Sequence, residues 1–289
     1  GDEVITTPFT WISTGEMIAL LKAKPVFVDI EIDTYNMDAN LIEAAITKKT
    51  KAIMPVSLFG QPANMNAIQS IAGKYNLKVI VDGAQSFGSN YNGKTDSSLG
   101  DISTTSFFPS KPLGCYGDGG AVFTNNDEYA NKMQMLRVHG QIKRYHHKYI
   151  GIGGRLDTIQ AAILLAKLPY FSKEILNRQK VADNYTEALS EIIKTPIIKT
   201  ERSSVWAQYT VRLNNRDAIQ NKLKSKGIPT SIFYPVPLHL QECFKYLNYK
   251  QGDFLVSEKV SNEVLSLPMN PFLSHDQLNY VIKNIKDNL

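Results

Sequence analysis

The sequence predicts an α/β protein, with a large domain on a mostly parallel mixed sheet followed by a smaller α+β C-terminal domain. Three observations carry this. Up to about Thr124, short apolar runs alternate with segments of helical periodicity, the rhythm of βαβ units. Those runs are continuous rather than alternating, as strands covered on both faces require. Beyond Leu189 the rhythm changes, and Trp206–Leu213 alternates like a half-exposed strand. At 289 residues the chain exceeds one comfortable core. The predicted division is 1–168 for the large domain and 169–289 for a connecting helix and the small domain.

The elements follow in order. Val4–Thr6 predicts a strand and Ile12–Leu21 a helix. Pro25–Ile30 is strand-like, and Leu41–Ile46 a short helix after the turn residues Asp38 and Asn40. Lys51–Phe59 predicts a strand, Asn64–Tyr75 a helix and Lys78–Asp82 a strand. Ile102–Phe108 and Ala121–Thr124 then read as two strands joined only by a loop. Asn126–Val138 is helical, with Asn125 or Asn126 as cap and Asp127 and Glu128 in its first turn. Arg155–Leu189 predicts a long helix broken at Pro169. Asp217–Lys226 is a helix ending at Gly227, Pro229–Phe233 a further strand, and Asp276–Leu289 an amphipathic helix. The chain opens on Gly1-Asp-Glu-Val-Ile-Thr-Thr7 without an initiator methionine, so the large domain is expected to begin upstream of Gly1.

Composition narrows the function. The chain is 43% hydrophobic and 20% charged, as ordinary globular proteins are. A net charge of +5 is mild, and no basic stripe resembles a nucleic-acid footprint. No apolar run is long enough to span a membrane. Cys115 and Cys243 are too few for a disulfide framework, which favours a reducing, cytoplasmic setting.

Chemistry concentrates in two segments. Lys78-Val-Ile-Val-Asp-Gly-Ala-Gln85 brings Asp82 to the end of an apolar strand, with Gln85 three residues on. Ser106-Phe-Phe-Pro-Ser-Lys111 then brings a serine and a lysine into a loop rich in glycine at 114, 117, 119 and 120. In open α/β sheets ligands bind at the carboxyl ends of strands. A buried carboxylate needs a cationic partner, and the protonated ring nitrogen of pyridoxal 5′-phosphate (PLP) is one. Lys111 is the amine that would hold the cofactor's aldehyde and move protons. Asp82 alone reads as a turn former and Lys111 alone as a solvated loop lysine; the set of four, at these spacings, points to PLP. Adjacent His146 and His147 point apart and find no third ligand, so no metal site is predicted. Cys115 has nothing nearby to make it a thiolate.

Landmarks along the whole chain carry a resemblance. They are Pro8-Phe-Thr-Trp-Ile-Ser-Thr14, Lys24–Asp29, Thr50–Val56, Val81-Asp-Gly-Ala-Gln-Ser86 and Ser106–Lys111. Gly117-Asp-Gly-Gly120, His139-Gly140, Arg155–Ala162, Tyr234-Pro-Val-Pro-Leu-His239 and Leu265–Met269 continue the series. The sequence resembles the DegT/DnrJ/EryC1/StrS sugar aminotransferases, PLP enzymes of the aspartate aminotransferase fold (fold type I). That resemblance implies that Lys111 binds the cofactor and shuttles the proton, while Asp82 pairs with the ring nitrogen. It implies that Trp11 stacks on the ring, Gln85 lies near the ring hydroxyl, and Ser106 contacts the phosphate. Arg155, His239, Tyr234 and Tyr116 fall on the substrate side, with His239 reaching into a neighbouring subunit's site. The implied assembly is a homodimer with shared active sites.

Two departures from the family pattern stand out. Its phosphate cup uses a Gly-Thr helix N-terminus placed before this chain's Gly1. Many relatives also carry asparagine where this chain has Gly153. The likeness is strongest to enzymes that aminate the 3-keto position of a UDP-linked acetamido-hexuronic acid, with glutamate as donor, in surface polysaccharide synthesis. Amination of a 4-keto or dTDP-linked sugar, and a PLP-binding protein without catalysis, are the alternatives. Dehydratase relatives replace the lysine with histidine, so Lys111 argues against that class.

Overall fold

The computed structural model describes residues 1–289. Six strands make the main sheet: β1 (Glu3–Thr6), β2 (Lys24–Phe27), β3 (Thr50–Ile53), β4 (Lys78–Asp82), β5 (Ile102–Ser106) and β6 (Gly120–Phe123). Their order is β2-β1-β3-β4-β5-β6. The first five run parallel, and β6 returns antiparallel to β5. Parallel neighbours need crossovers. Helices α1 (Ile12–Leu20), α2 (Ile42–Ala45) and α3 (Met65–Tyr75) supply them as far as β4. From β4 to β5 the crossover has no α-helix; it holds a small hairpin, Asn90–Tyr91 with Lys94–Thr95, and a 3-10 turn at Asp96–Ser98. Ile5, Ile53, Ile68, Val79 and Val81 pack into one buried cluster on this sheet.

Local chemistry sets the helix ends. The Asn64 side chain caps α3 through the Ala67 N–H, and Asn76 closes it in the left-handed region at φ 52°, which asparagine tolerates. Helix α4 (Asp127–Leu136) is capped by Asn126. An exposed hairpin, Gln141–Lys143 with His146–His147, precedes α5 (Thr158–Leu189). The predicted break at Pro169 is absent: α5 is continuous for 32 residues. The ring deprives only the Leu165 carbonyl of its amide, and Leu165 is largely exposed.

The C-terminal part pairs β7 (Tyr209–Arg212) antiparallel with β8 (Val264–Leu267) and adds α6 (Arg216–Ser225), α7 (Leu255–Glu263) and α8 (His275–Lys286). Tyr185, Tyr209, Leu223, Leu265 and Ile285 are fully buried in its core. Strand β7 is not half-exposed as its alternation predicts, because Tyr209, Thr210 and Val211 are all buried. On the polar face the Thr210 and Ser266 hydroxyls satisfy each other at 2.8 Å. Pro229–Phe233 forms no strand; Ser231 alone pairs with Ser266, since Pro229 offers no N–H. Strand β3 stops short of the predicted Phe59: Pro55 interrupts it, Val56 bridges to Asp82, and Phe59 turns the chain at φ 58°. Helix α8 begins in a capping box of Ser274 and Gln277. No helix is long and apolar enough to cross a membrane.

Candidate active site

The carboxyl ends of β4 and β5 open into a cavity of about 750 Å³. Trp11, Asp82, Gln85, Ser106, Lys111 and Tyr234 all line it, together with Thr10, Thr14, Asp118 and Gln208. Asp82 ends β4. Its Oδ2 accepts from the Thr14 hydroxyl at 2.7 Å and its Oδ1 from the Ala84 N–H at 3.1 Å. Thr10, just before α1, and Thr14, in its first turn, share a hydrogen bond at 3.1 Å. No cation lies within ion-pair distance of Asp82, so the carboxylate faces the cavity with acceptor capacity to spare.

Lys111 sits on the loop after β5. That loop coils back so tightly that a Cβ at Gly114 would meet the Pro109 carbonyl oxygen at 2.6 Å; only glycine fits there. Lys167 of α5 donates to the Gly114 carbonyl, and the Lys111 N–H donates to the Phe108 carbonyl at 2.8 Å. Cys115 is buried, its Sγ donating to the Phe107 carbonyl. It packs this loop and is not turned toward the cavity. The Lys111 amine has no ion-pair partner. Burial lowers its pKa from the ordinary lysine value, and the Asp82 carboxylate opposes that shift. Desolvation thus favours the neutral, nucleophilic amine.

Around this pair the walls are aromatic and amide. Trp11 is 59% exposed, and its ring lies 6.2 Å from that of Tyr234, leaving a flat face toward the cavity. Gln85 is fixed at both ends: Oε1 accepts from the Phe59 N–H at 2.7 Å, and Nε2 donates to the Tyr234 hydroxyl at 3.1 Å. Burial raises the Tyr234 pKa, with the Gln85 hydrogen bond opposing, so its hydroxyl stays protonated. The Ser106 Oγ accepts from the Phe108 N–H at 3.2 Å.

Three predicted residues lie elsewhere within this chain. Arg155 is exposed on the segment before α5, outside the cavity. Tyr116 is 77% exposed, its N–H donating to Gln160. His239 does not project outward: it is 2% exposed, and its Nε2 pairs with Glu258 at 3.0 Å. Burial lowers its pKa, against the pull of Glu258. Thr10, Thr14 and Gln208 escape sequence reasoning. The i, i+4 spacing of the two threonines in Pro8–Thr14 was the available signal; a glutamine inside an apolar strand run was the signal for Gln208.

The donor set fits PLP. It joins a desolvated amine, a carboxylate without a cation, a flat aromatic wall and a serine at a strand end in one cavity. Comparison with known proteins agrees. Residues 1–286 match the DegT/DnrJ/EryC1/StrS aminotransferase family, and this chain belongs to that family. A UDP-2-acetamido-2-deoxy-3-oxo-D-glucuronate aminotransferase of Pseudomonas aeruginosa is 53% identical over 274 residues, 94% of this chain and 76% of that protein. A DegT DnrJ EryC1 StrS aminotransferase from Brucella abortus superposes with a TM-score of 0.96 at 42% identity, over 99% of this chain and 79% of the other. The Bacillus subtilis protein ntda, solved with bound cofactor PMP, the aminated form of PLP, gives a TM-score of 0.91. It is 32% identical, over 99% of this chain and 67% of the other. The fold is therefore that of the PLP-dependent sugar aminotransferases, and PLP is the cofactor.

Proposed function

We propose that this protein transfers an amino group from glutamate to the 3-keto carbon of a UDP-2-acetamido-2-deoxy-hexuronic acid, in surface polysaccharide synthesis. One observation carries the reading: Lys111 and Asp82 line a single cavity whose relative at 53% identity is named for that sugar. Glutamate would leave as its 2-oxo acid and the sugar carbonyl would become an amine, so atoms and electrons balance over the two halves of the cycle.

PLP, when bound, supplies an electron-accepting ring. This chain's residues do the rest. Lys111 would hold the cofactor through its Nζ and would carry the proton from the donor's carbon. Asp82 keeps a proton on the ring nitrogen, and Thr14 and the Ala84 N–H hold that carboxylate in place. Trp11 would cover the ring face, Gln85 with Tyr234 would border the ring hydroxyl, and Ser106 would receive the phosphate. Arg155 and Tyr116 are assigned to the sugar nucleotide in a cytoplasmic homodimer whose pockets are completed across the interface; His239, buried against Glu258, is not. We place the domain division at 168/169, within α5.

The test is Lys111→Ala. Loss of a general base costs on the order of 100- to 10,000-fold in rate, so turnover of the keto-sugar nucleotide with glutamate should fall by that much. The absorbance of lysine-bound cofactor should vanish as well. Normal turnover by the variant would refute the assignment. Turnover of dTDP-linked 4-keto sugars in place of the UDP-linked 3-keto acid would replace the acceptor while keeping the chemistry.

A further inference from the structure

Behind the cofactor aspartate lies a second carboxylate that the chemistry above does not use. Asp96 sits in the crossover between β4 and β5 and is 1% exposed. Its Oδ1 accepts from the Ser57 hydroxyl at 2.9 Å, and its Oδ2 accepts from the Ser86 hydroxyl. Both serines are fully buried, and no cation pairs with Asp96.

The contacts lead back to Asp82 and Gly83, the end of β4 and the residue after it. The Ser57 N–H donates to the Asp82 carbonyl at 3.0 Å, and the Ser86 N–H donates to the Gly83 carbonyl at 3.1 Å. Gly83 itself is pressed against the acid, since a Cβ there would stand 2.8 Å from Asp96 Oδ2. Asp96 therefore grips both backbone segments that fix the end of β4, and Ser86 directly follows Gln85. Asparagine or threonine could make such hydrogen bonds without the cost of burying a charge. A carboxylate here calls for a reason that involves its charge.

We propose that Asp96 is a positioning residue for the cofactor site, a buried second carboxylate that holds the Asp82–Ser86 turn through Ser57 and Ser86. Its negative charge behind Asp82 strengthens that residue's hold on a protonated ring nitrogen. Burial pushes the Asp96 carboxyl up to about 6, with the two serine hydroxyls opposing and the Asp82 charge adding to the rise. Asp82 is the one charged side chain acting on it. Coupling is reciprocal: a cation bound at Asp82 favours ionised Asp96, and ionised Asp96 favours the cation. Cofactor affinity should therefore gain a component that rises as pH climbs through about 6.

The experiment titrates cofactor-free protein with PLP, following absorbance from about pH 5 to about pH 8, with melting of the cofactor-free protein in parallel. Asp96→Asn should bind PLP about tenfold more weakly than wild type at pH 8, within the usual range for coupled sites. The deficit should close toward pH 5, where wild-type Asp96 is protonated too. The cofactor-free variant should melt no lower than wild type at pH 8, because a buried charge is gone. Ser57→Ala and Ser86→Ala each remove a hydroxyl that favours the ionised acid, so each should weaken PLP binding and move its pH dependence to higher pH. A pH-independent deficit in Asp96→Asn, or none, overturns the proposal, as does a lowered melting point that accounts for the lost affinity. Asp96→Thr carries the same comparison if Asp96→Asn does not fold. The proposal rests on Asp82 as partner of the ring nitrogen; failure of wild type to bind PLP at all would instead refute the reading of the site.

Discussion

Thr14 shows how much of the site one hydroxyl controls. It is buried and donates to Asp82 Oδ2 at 2.7 Å, a hydrogen bond to a charged group, worth roughly 1.5–3 kcal/mol. Thr14→Val keeps the shape and removes the donor. About 1.4 kcal/mol corresponds to tenfold, so PLP affinity measured by absorbance titration should drop at least about tenfold, while Thr14→Ser should recover most of it. Unchanged affinity in Thr14→Val would mean that the Ala84 N–H suffices to hold the carboxylate. Asp82, Gln85, Ser106 and Lys111 were legible in the sequence because strand ends and loop glycines announce themselves along the chain. Thr14 and Asp96 were not, because each matters through a partner on another element: 68 residues separate Thr14 from Asp82, and 39 separate Ser57 from Asp96.

At the scale of elements, helix α7 was invisible to sequence periodicity for a similar reason. Its N-cap position, Phe254, has no capping side chain. The cap comes instead from Asp29 beyond β2, which accepts from the N–H groups of Val256 and Ser257 at 2.8 and 2.9 Å and from the Ser257 hydroxyl at 2.6 Å. That carboxylate satisfies orphan amides and sits favourably at the positive end of the helix. Asp29→Ala should cost about 1–2 kcal/mol by urea denaturation, the usual loss for a cap. A change under a few tenths would show that water replaces it. Helix α5 teaches the reverse lesson. Pro169 signals a break, yet the helix runs through, because the carbonyl it deprives belongs to the exposed residue Leu165.

For the whole molecule, one stretch of the chain leaves a series of large apolar side chains open to solvent. Tyr145, Ile150, Ile152, Ile159 and Tyr170, from the Gln141–His147 hairpin to the first half of α5, are each 65% or more exposed. Exposed apolar side chains in this number are what the proposed homodimer would cover. Arg155 lies within this stretch, and Tyr116 is tied to it through Gln160. Neither residue lines the cavity of its own chain, and the proposed homodimer is the arrangement that would let them serve a neighbour's. Light scattering should report a dimer, and Ile159→Glu should shift it toward monomer and lower turnover with it. A monomeric wild type with full activity would rule out shared pockets.

The sequence by itself determined the cofactor chemistry, the α/β class with its mostly parallel sheet, and the alternation of strands and helices up to β4. These depend on local signals: apolar runs, strand-end polar residues and glycine-rich turns. Only the tertiary structure decided which donors hold Asp82, that a second carboxylate lies behind it, and that His239 turns inward to Glu258 within its own chain. The reason is physical. Burial and hydrogen bonding between distant segments set the protonation and orientation of a side chain, and neither is written into spacing along the chain.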